Sequence, residues 1–308
     1  MATIIDEYCE AFDGLFLRII VTAKDRDTLE KTAICATALP STVVGRSEAG
    51  IEKYLDESQS PDGRPGAIIQ IWVNYSKNAI SSLGYEASLR IRQGILVIPT
   101  TRIFNALESE DKLDIMPSVG YCGDGFEEEK QVIFGSKTYN MIDIPLMMPG
   151  FMIERHLGYK KGIMGGNIWY LCKDEKSALE AGKRAVEELK KMDNVICPFE
   201  ICSAGSKVGS ITAEKYKGSQ KGEDYSKIGP TTNHLYCPQL KNKIENSLVP
   251  ETVKSIPEIV INGATLDDIK KAMKKCIDCT VDIEGVESIS CGNYGGNLGK
   301  YKIYLKDL

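Results

Sequence analysis

Residues 258–269, Glu258-Ile259-Val260-Ile261-Asn262-Gly263-Ala264-Thr265-Leu266-Asp267-Asp268-Ile269, pass from a β-branched run straight into a helix start. A strand's period of two puts Glu258 and Asn262 on the same face. Thr265 with Asp268 makes a capping box, and Leu266, Ile269, Met273 and Cys276 recur on one helical stripe. Val286 to Ser290 is a returning strand. Upstream the same order is found. Ile163 to Cys172 reads as a strand, and Ser177 with Glu180 caps a helix that turns Leu179, Val186 and Leu189 one way. Val195 to Ile201 then returns as a strand, so the second half reads βαββαβ.

The first half repeats that order. Leu17 to Ala23 is a strand, Asp27 with Glu30 opens a helix to about Leu39, and Thr42 to Gly45 is a second strand. Ala67 to Val73 follows as a strand, Ile80 to Arg92 as a helix stopped by Gly94, and Ile95 to Ile98 as a strand. The pattern predicts an α+β protein of two ferredoxin-like βαββαβ lobes related by duplication. Residues 1–150 would hold the N-terminal lobe plus a hairpin segment turning at Gly123-Asp124-Gly125 and Gly135-Ser136. Residues 151–308 would hold the C-terminal lobe with a long insertion at about 202–257. A Gly-Gly-Asn string occurs at 165–167 and again at 295–297. A second long insertion, about Arg46 to Gly66, sits in the first lobe, and segments of such length are usually functional or disordered.

Composition narrows the function. The 308 residues are 43% hydrophobic and 26% charged, ordinary values for a globular chain. With 38 Lys+Arg against 43 Asp+Glu the net charge is −5, the wrong sign for binding nucleic acid through its phosphates. No apolar run reaches the roughly 18 residues of a membrane-spanning helix. The start, with Asp6 and Glu7, does not resemble a secretory signal, so the expected location is the cytoplasm. Ten cysteines are scattered through apolar or helical stretches, and the Cys276-x-x-Cys279 pair lies inside a helical pattern. With only His156 and His234, a His-rich metal site is excluded and a Ser-His-Asp triad has little to draw on. Neither a G-x-S-x-G elbow nor a G-x-x-x-x-G-K-[ST] loop is present.

Several strings could carry chemistry. Ser60-Pro61-Asp62-Gly63-Arg64-Pro65-Gly66 stiffens the backbone around one acid and one base, although a plain turn would look the same. Ser47 to Tyr54 adds Glu48 and Glu52, in either a solvated short helix or a site. Glu258, alone at the start of an apolar strand, would have its carboxyl pKa raised if that end is covered, giving a group able to exchange protons near neutrality. The competing reading is an exposed Glu at a strand start. Gly205-Ser206-Lys207-Val208-Gly209 and Thr231-Thr232-Asn233-His234 read as ligand loops or flexible surface.

Taken together, eight strings resemble the formylmethanofuran:tetrahydromethanopterin formyltransferase family. They are SEAGIEKY (Ser47 to Tyr54), SPDGRPG (Ser60 to Gly66), GDGFEEE (Gly123 to Glu129), MGGN (Met164 to Asn167), SAGSKVG (Ser203 to Gly209), TNHLYCP (Thr232 to Pro238), EIVING (Glu258 to Gly263) and GNYGGNLGKY (Gly292 to Tyr301). They run in the family's order and span most of the chain.

The resemblance implies two ferredoxin-like lobes, a homo-oligomer, often a tetramer, and no metal or prosthetic group. Methanofuran and tetrahydromethanopterin would be coenzyme substrates, the formyl group passing from the methanofuran nitrogen to N5 of the pterin. It places the family's acid/base residue on Glu258, beside Asn262 as a candidate oxyanion donor. The substrate-binding candidates are Glu48, Glu52, Asp62, Arg64, Asp124, Asn167, Ser206, Lys207 and Asn233. The sequence departs from the family pattern at Pro198 to Cys202 and over Ser210 to Gly229. A second reading is therefore a non-catalytic paralogue that binds a pterin- or methanofuran-type ligand, or a subunit of a formyltransferase/hydrolase complex.

Overall fold

The computed structural model describes residues 1–38, 47–148, 150–205, 235–293, 295–296 and 298–308. In chain order the first elements are β1 (Thr3–Ile4), β2 (Tyr8–Thr22), α1 (Arg26–Thr37), β3 (Glu48–Leu55), β4 (Gly66–Asn74), α2 (Ala79–Arg90) and β5 (Arg102–Asn105). Then come β6 (Lys112–Asp114), β7 (Glu128–Phe134), β8 (Lys137–Ile144) and β9 (Phe151–Glu154). The rest is β10 (His156–Cys172), α3 (Glu175–Leu189), β11 (Val195–Ile196), β12 (Cys202–Ser203), β13 (Pro257–Gly263), α4 (Leu266–Thr280), β14 (Val286–Ser290) and β15 (Tyr301–Tyr304). This is a mixed α+β fold. Two compact units form, Gly14–Lys161 and Met1–Asp13 with Gly162–Leu308.

In the unit Gly14–Lys161, β2 lies between β5 and β4, and β3 pairs with β4, all antiparallel. One face of these strands is aliphatic: Leu17, Ile19, Ile69 and Ile71 pack with Leu29 and Ala33 of α1 and Leu83 and Ala87 of α2. Burying one such side chain contributes about 1.5–3 kcal/mol, so this face fixes the register. β5 continues in parallel to β9, and β9, β8 and β7 run on as antiparallel neighbours. The expected turn at Gly135-Ser136 joins β7 to β8. Gly123-Asp124-Gly125 forms a turn that joins no paired strands.

Three sequence expectations are corrected here. Ser47 to Tyr54 is not a helix: Glu48–Leu55 is the second strand of this sheet, and the strand expected at Thr42 to Gly45 lies outside the described residues. Ile95 to Ile98 is not a strand. The backbone from Ile91 to Leu96 stays helical in a widened turn, because Gly94 packs against α1, where a Cβ would stand 2.8 Å from the Ala36 Cα. The fourth strand is Arg102–Asn105 instead. The α1 cap is Asp25, whose side chain accepts from the Thr28 N–H, rather than Asp27.

In the other unit, β10 lies between β14 and β13, and β13 also pairs with β11 and β12, all antiparallel. Ile168, Tyr170, Ile259, Ile261 and Ile289 face α3 and α4, whose Ala181, Ala185, Ile269, Met273 and Cys276 complete the core. The Thr265–Asp268 capping box is present, whereas α3 is capped by Asp174 instead of Ser177. Leu179 stands on the outer side of α3, 50% exposed, because alanines and Gly182 form its inner stripe. The strand expected over Val195 to Ile201 ends at Ile196 (β11); Glu200 takes φ 54°, and β12 follows it at Cys202–Ser203.

Candidate active site

Ile259 and Ile261 go to the helical core, so alternation turns Glu258, Val260 and Asn262 to the opposite face of β13. The antiparallel register sets Trp169 of β10 opposite Glu258 and Asn167 opposite Val260. On the other side of β13, Cys202 stands opposite Glu258. This face is not bare. Trp169 and Leu171 are covered by Val249, Val253 and Ile256, and Tyr236 meets the Trp169 ring edge-on with centroids 6.0 Å apart.

Glu258 is half-buried at the start of its strand. Burial pushes its carboxyl above the usual carboxylate range, and the Trp169 indole facing it works against that rise. The indole Nε1–H is itself buried and, among the described residues, has no acceptor at normal hydrogen-bond geometry.

Asparagine amides fix the surrounding backbone. Asn167 Oδ1 accepts from the Gly292 N–H at 2.6 Å, and its Nδ2 donates to the Gly165 carbonyl at 3.3 Å. Asn262, fully buried, accepts from the Gly165 N–H at 3.2 Å. Gly165 has φ 88°, and a Cβ there would stand 2.6 Å from the Phe12 ring. At Gly292 a Cβ would approach the Trp169 ring to 2.8 Å. Both glycines are thus required by geometry. Glu10, also fully buried, accepts the N–H groups of Gly296, Leu298 and Gly299 at 2.7, 2.8 and 3.1 Å.

The other sequence candidates fall in the unit Gly14–Lys161 or outside the described residues. A register shift between Ile51 and Lys53 turns Glu52 onto the sheet face away from the helices. There Arg18 donates Nε and Nη2 to the two Glu52 oxygens at 2.7 and 2.8 Å, and Gln70 Nε2 adds a third bond at 2.7 Å. Trp72 Nε1 in turn donates to Gln70 Oε1 at 2.8 Å and stacks on Phe16. Asp62 Oδ2 accepts from Arg64 Nε at 2.7 Å and from Arg102 Nη1 and Thr22 Oγ1 at 3.1 Å each, while Asp62 Oδ1 is buried with no partner among the described residues. Glu48 is half-buried opposite Trp72, and Asp124 is exposed in its turn. Ser206, Lys207 and Asn233 lie outside the described residues.

The structure therefore gathers Glu258, Asn262 and Asn167 on one sheet face and binds Glu52 and the Asp62–Arg64 pair into separate internal networks. The sequence reading missed Trp169, Arg18, Gln70 and Glu10. A signal for Trp169 was present, since Asn167, Trp169 and Leu171 alternate along one strand. Among the described residues no three His, Cys, Asp or Glu side chains are grouped to hold a metal ion.

Fold and site together describe a mixed α+β protein with a sheltered carboxyl, an indole and two amides on one sheet face. Family models place it further. One described as formylmethanofuran-tetrahydromethanopterin formyltransferase matches residues 1–146, and one described as its proximal lobe matches residues 149–308. The chain belongs to the formylmethanofuran–tetrahydromethanopterin formyltransferase family.

A formyltransferase-like protein of Archaeoglobus fulgidus is 55% identical, the match covering 98% of this chain and 95% of the relative. The formyltransferase of Methanothermobacter thermautotrophicus is 40% identical, with 98% and 97% covered. The solved formyltransferase of Methanosarcina barkeri superposes with a TM-score of 0.82 at 32% identity, covering 99% of this chain and 98% of that one. A chain of the Methylorubrum extorquens formyltransferase/hydrolase complex, solved with methylofuran, gives 0.83 at 30% identity, with 99% and 96% covered.

Proposed function

We propose that this protein transfers a formyl group reversibly from formylmethanofuran to N5 of tetrahydromethanopterin in one-carbon metabolism, with Glu258 as the group that carries the proton. The observation that carries this reading is the half-buried Glu258 carboxyl, raised by burial and facing an indole. The acceptor nitrogen attacks the formyl carbon, forming a C–N bond and a tetrahedral intermediate with charge on oxygen. That nitrogen gives its proton to the Glu258 carboxylate. The intermediate then collapses, the donor C–N bond breaks, and the departing nitrogen takes the proton back from Glu258. An acid whose pKa lies nearer neutrality serves both directions better than an ordinary carboxylate, and such transfer contributes about 10²–10⁴ in rate. Covering the site matters because water attacking the same carbon leads to hydrolysis.

Asn262 and Asn167 serve this chemistry by holding the Gly165 and Gly292 backbone. Glu52, Asp62 and Arg64 remain coenzyme-binding candidates on the family resemblance, each engaged in an internal pair. Glu48, Asp124, Ser206, Lys207 and Asn233 are the further residues that the family resemblance offers for coenzyme binding. The strand orders β5-β2-β4-β3 and β14-β10-β13-β11 support a duplicated ferredoxin-like pair of lobes. A cytoplasmic homo-oligomer, a tetramer, completes the reading on the strength of the family resemblance.

A second reading has a specific observation behind it. Four relatives of 41–55% identity carry the qualified name formyltransferase-like, whereas relatives of 38–40% carry the unqualified one. Such a copy would bind a coenzyme without turning it over, or act inside a larger assembly. Purified protein mixed with formylmethanofuran and tetrahydromethanopterin separates the two. Formation of formyltetrahydromethanopterin supports the first reading, and coenzyme binding without product supports the second.

A further inference from the structure

Trp169 is the large side chain nearest the reading above that the chemistry has not used. Its indole N–H is buried and, among the described residues, lacks an acceptor at normal hydrogen-bond geometry. Its ring cannot swing away. Gly292 would meet it at 2.8 Å if it carried a Cβ, Tyr236 abuts its edge, and Val249, Val253 and Ile256 pack around it. The strand register puts it directly across from Glu258.

We infer that Trp169 is a positioning residue for Glu258: its pinned indole N–H is the donor that receives the Glu258 carboxylate whenever that group is ionised. The inference rests on the proton-carrying role given to Glu258 and deepens it. An indole nitrogen is a donor only, so it can bond the carboxylate but offers nothing to a carboxyl proton. It therefore favours the ionised state, whose oxygens are the stronger acceptors, and steers the carboxylate toward the indole. Other groups facing this spot are Cys202 from β12 and Tyr236 from the covering segment, the latter itself influenced by Glu7. Trp169 is the influence that lowers the Glu258 carboxyl against burial.

The test compares wild type with Trp169→Phe, which keeps an aromatic ring and removes the N–H. Loss of a donor to the charged form raises the carboxyl pKa further. The acid limb of kcat/KM should therefore move up by about one pH unit, a tenfold loss on that limb, while the high-pH plateau holds. A uniform loss at every pH, with the limb unmoved, overturns the inference. A readout free of turnover keeps this apart from the functional reading. The chain has two tryptophans, so wild-type fluorescence minus that of Trp169→Phe isolates Trp169. That emission should titrate with pH in wild type and lose the transition in Glu258→Gln. A transition that survives Glu258→Gln contradicts the pairing, whether or not the protein transfers formyl groups.

Discussion

Arg18 grips Glu52 with two guanidinium nitrogens at 2.7 and 2.8 Å, on a carboxylate with no exposed side-chain surface. Glu258 also lies on a sheet face turned away from the helices, yet it is not among the acids held by an ion pair between described residues. The two acids have opposite uses. A bidentate pair fixes its carboxylate in place. A covered carboxyl facing an indole can gain and lose a proton.

Replacing Arg18 with Met should therefore be costly, because it strands the Glu52 carboxylate in the interior. The expected loss is about 3–5 kcal/mol in urea unfolding. The double variant Arg18→Met with Glu52→Leu should recover much of it, and no recovery would mean that the cost lies in packing.

Gly165→Ala should fail at the backbone. The position needs φ 88°, and the new methyl would stand 2.6 Å from the Phe12 ring. A loss of about 2 kcal/mol or more is expected from strain and overpacking, read by thermal unfolding. Gly63→Ala, at φ 69° but with open space around it, should cost less.

Glu10→Ala leaves the N–H groups of Gly296, Leu298 and Gly299 without their acceptor. Each lost bond of that charged kind is worth about 1.5–3 kcal/mol, so the summed loss should exceed that of any single surface carboxylate. Hydrogen exchange at those three amides should speed up first. Unchanged exchange there would argue against the clasp.

Much of the architecture could be read from local pattern. Ala67–Val73 and Glu258–Asn262 are β-branched runs with turn residues at their ends, and the Thr265–Asp268 cap is a complete local signal. The strand Glu48–Leu55 escaped because its acids look solvated along the chain, while Arg18 and Gln70, which satisfy Glu52, come from other strands. Ile95 to Ile98 misled in the opposite sense, an apolar run kept helical by the fit of Gly94 against α1. Glu258 was visible as a lone acid at the start of an apolar run. Its partner Trp169 is 89 residues away and is joined to it only by strand register.

Glu258 also predicts a stability effect with a definite sign. Its carboxyl is raised in the folded state, so the folded protein holds that proton more tightly than the unfolded chain does. The contribution is fully retained below the ordinary carboxylate value and is lost as pH rises through the raised one. Glu258→Gln removes this loss. The variant should match wild type in acid and become relatively more stable as pH rises through that window, measured as the urea midpoint against pH. A difference that shrinks with rising pH would contradict the raised carboxyl.

The central claim is that the Glu258 carboxyl moves the proton during formyl transfer, and turnover by Glu258→Gln tests it most directly. Glutamine keeps the shape and cannot exchange a proton in this range. With KM for both coenzymes within a few-fold of wild type, kcat should fall by about 10²–10⁴. A Glu258→Gln protein that transfers formyl groups at the wild-type rate would contradict the account.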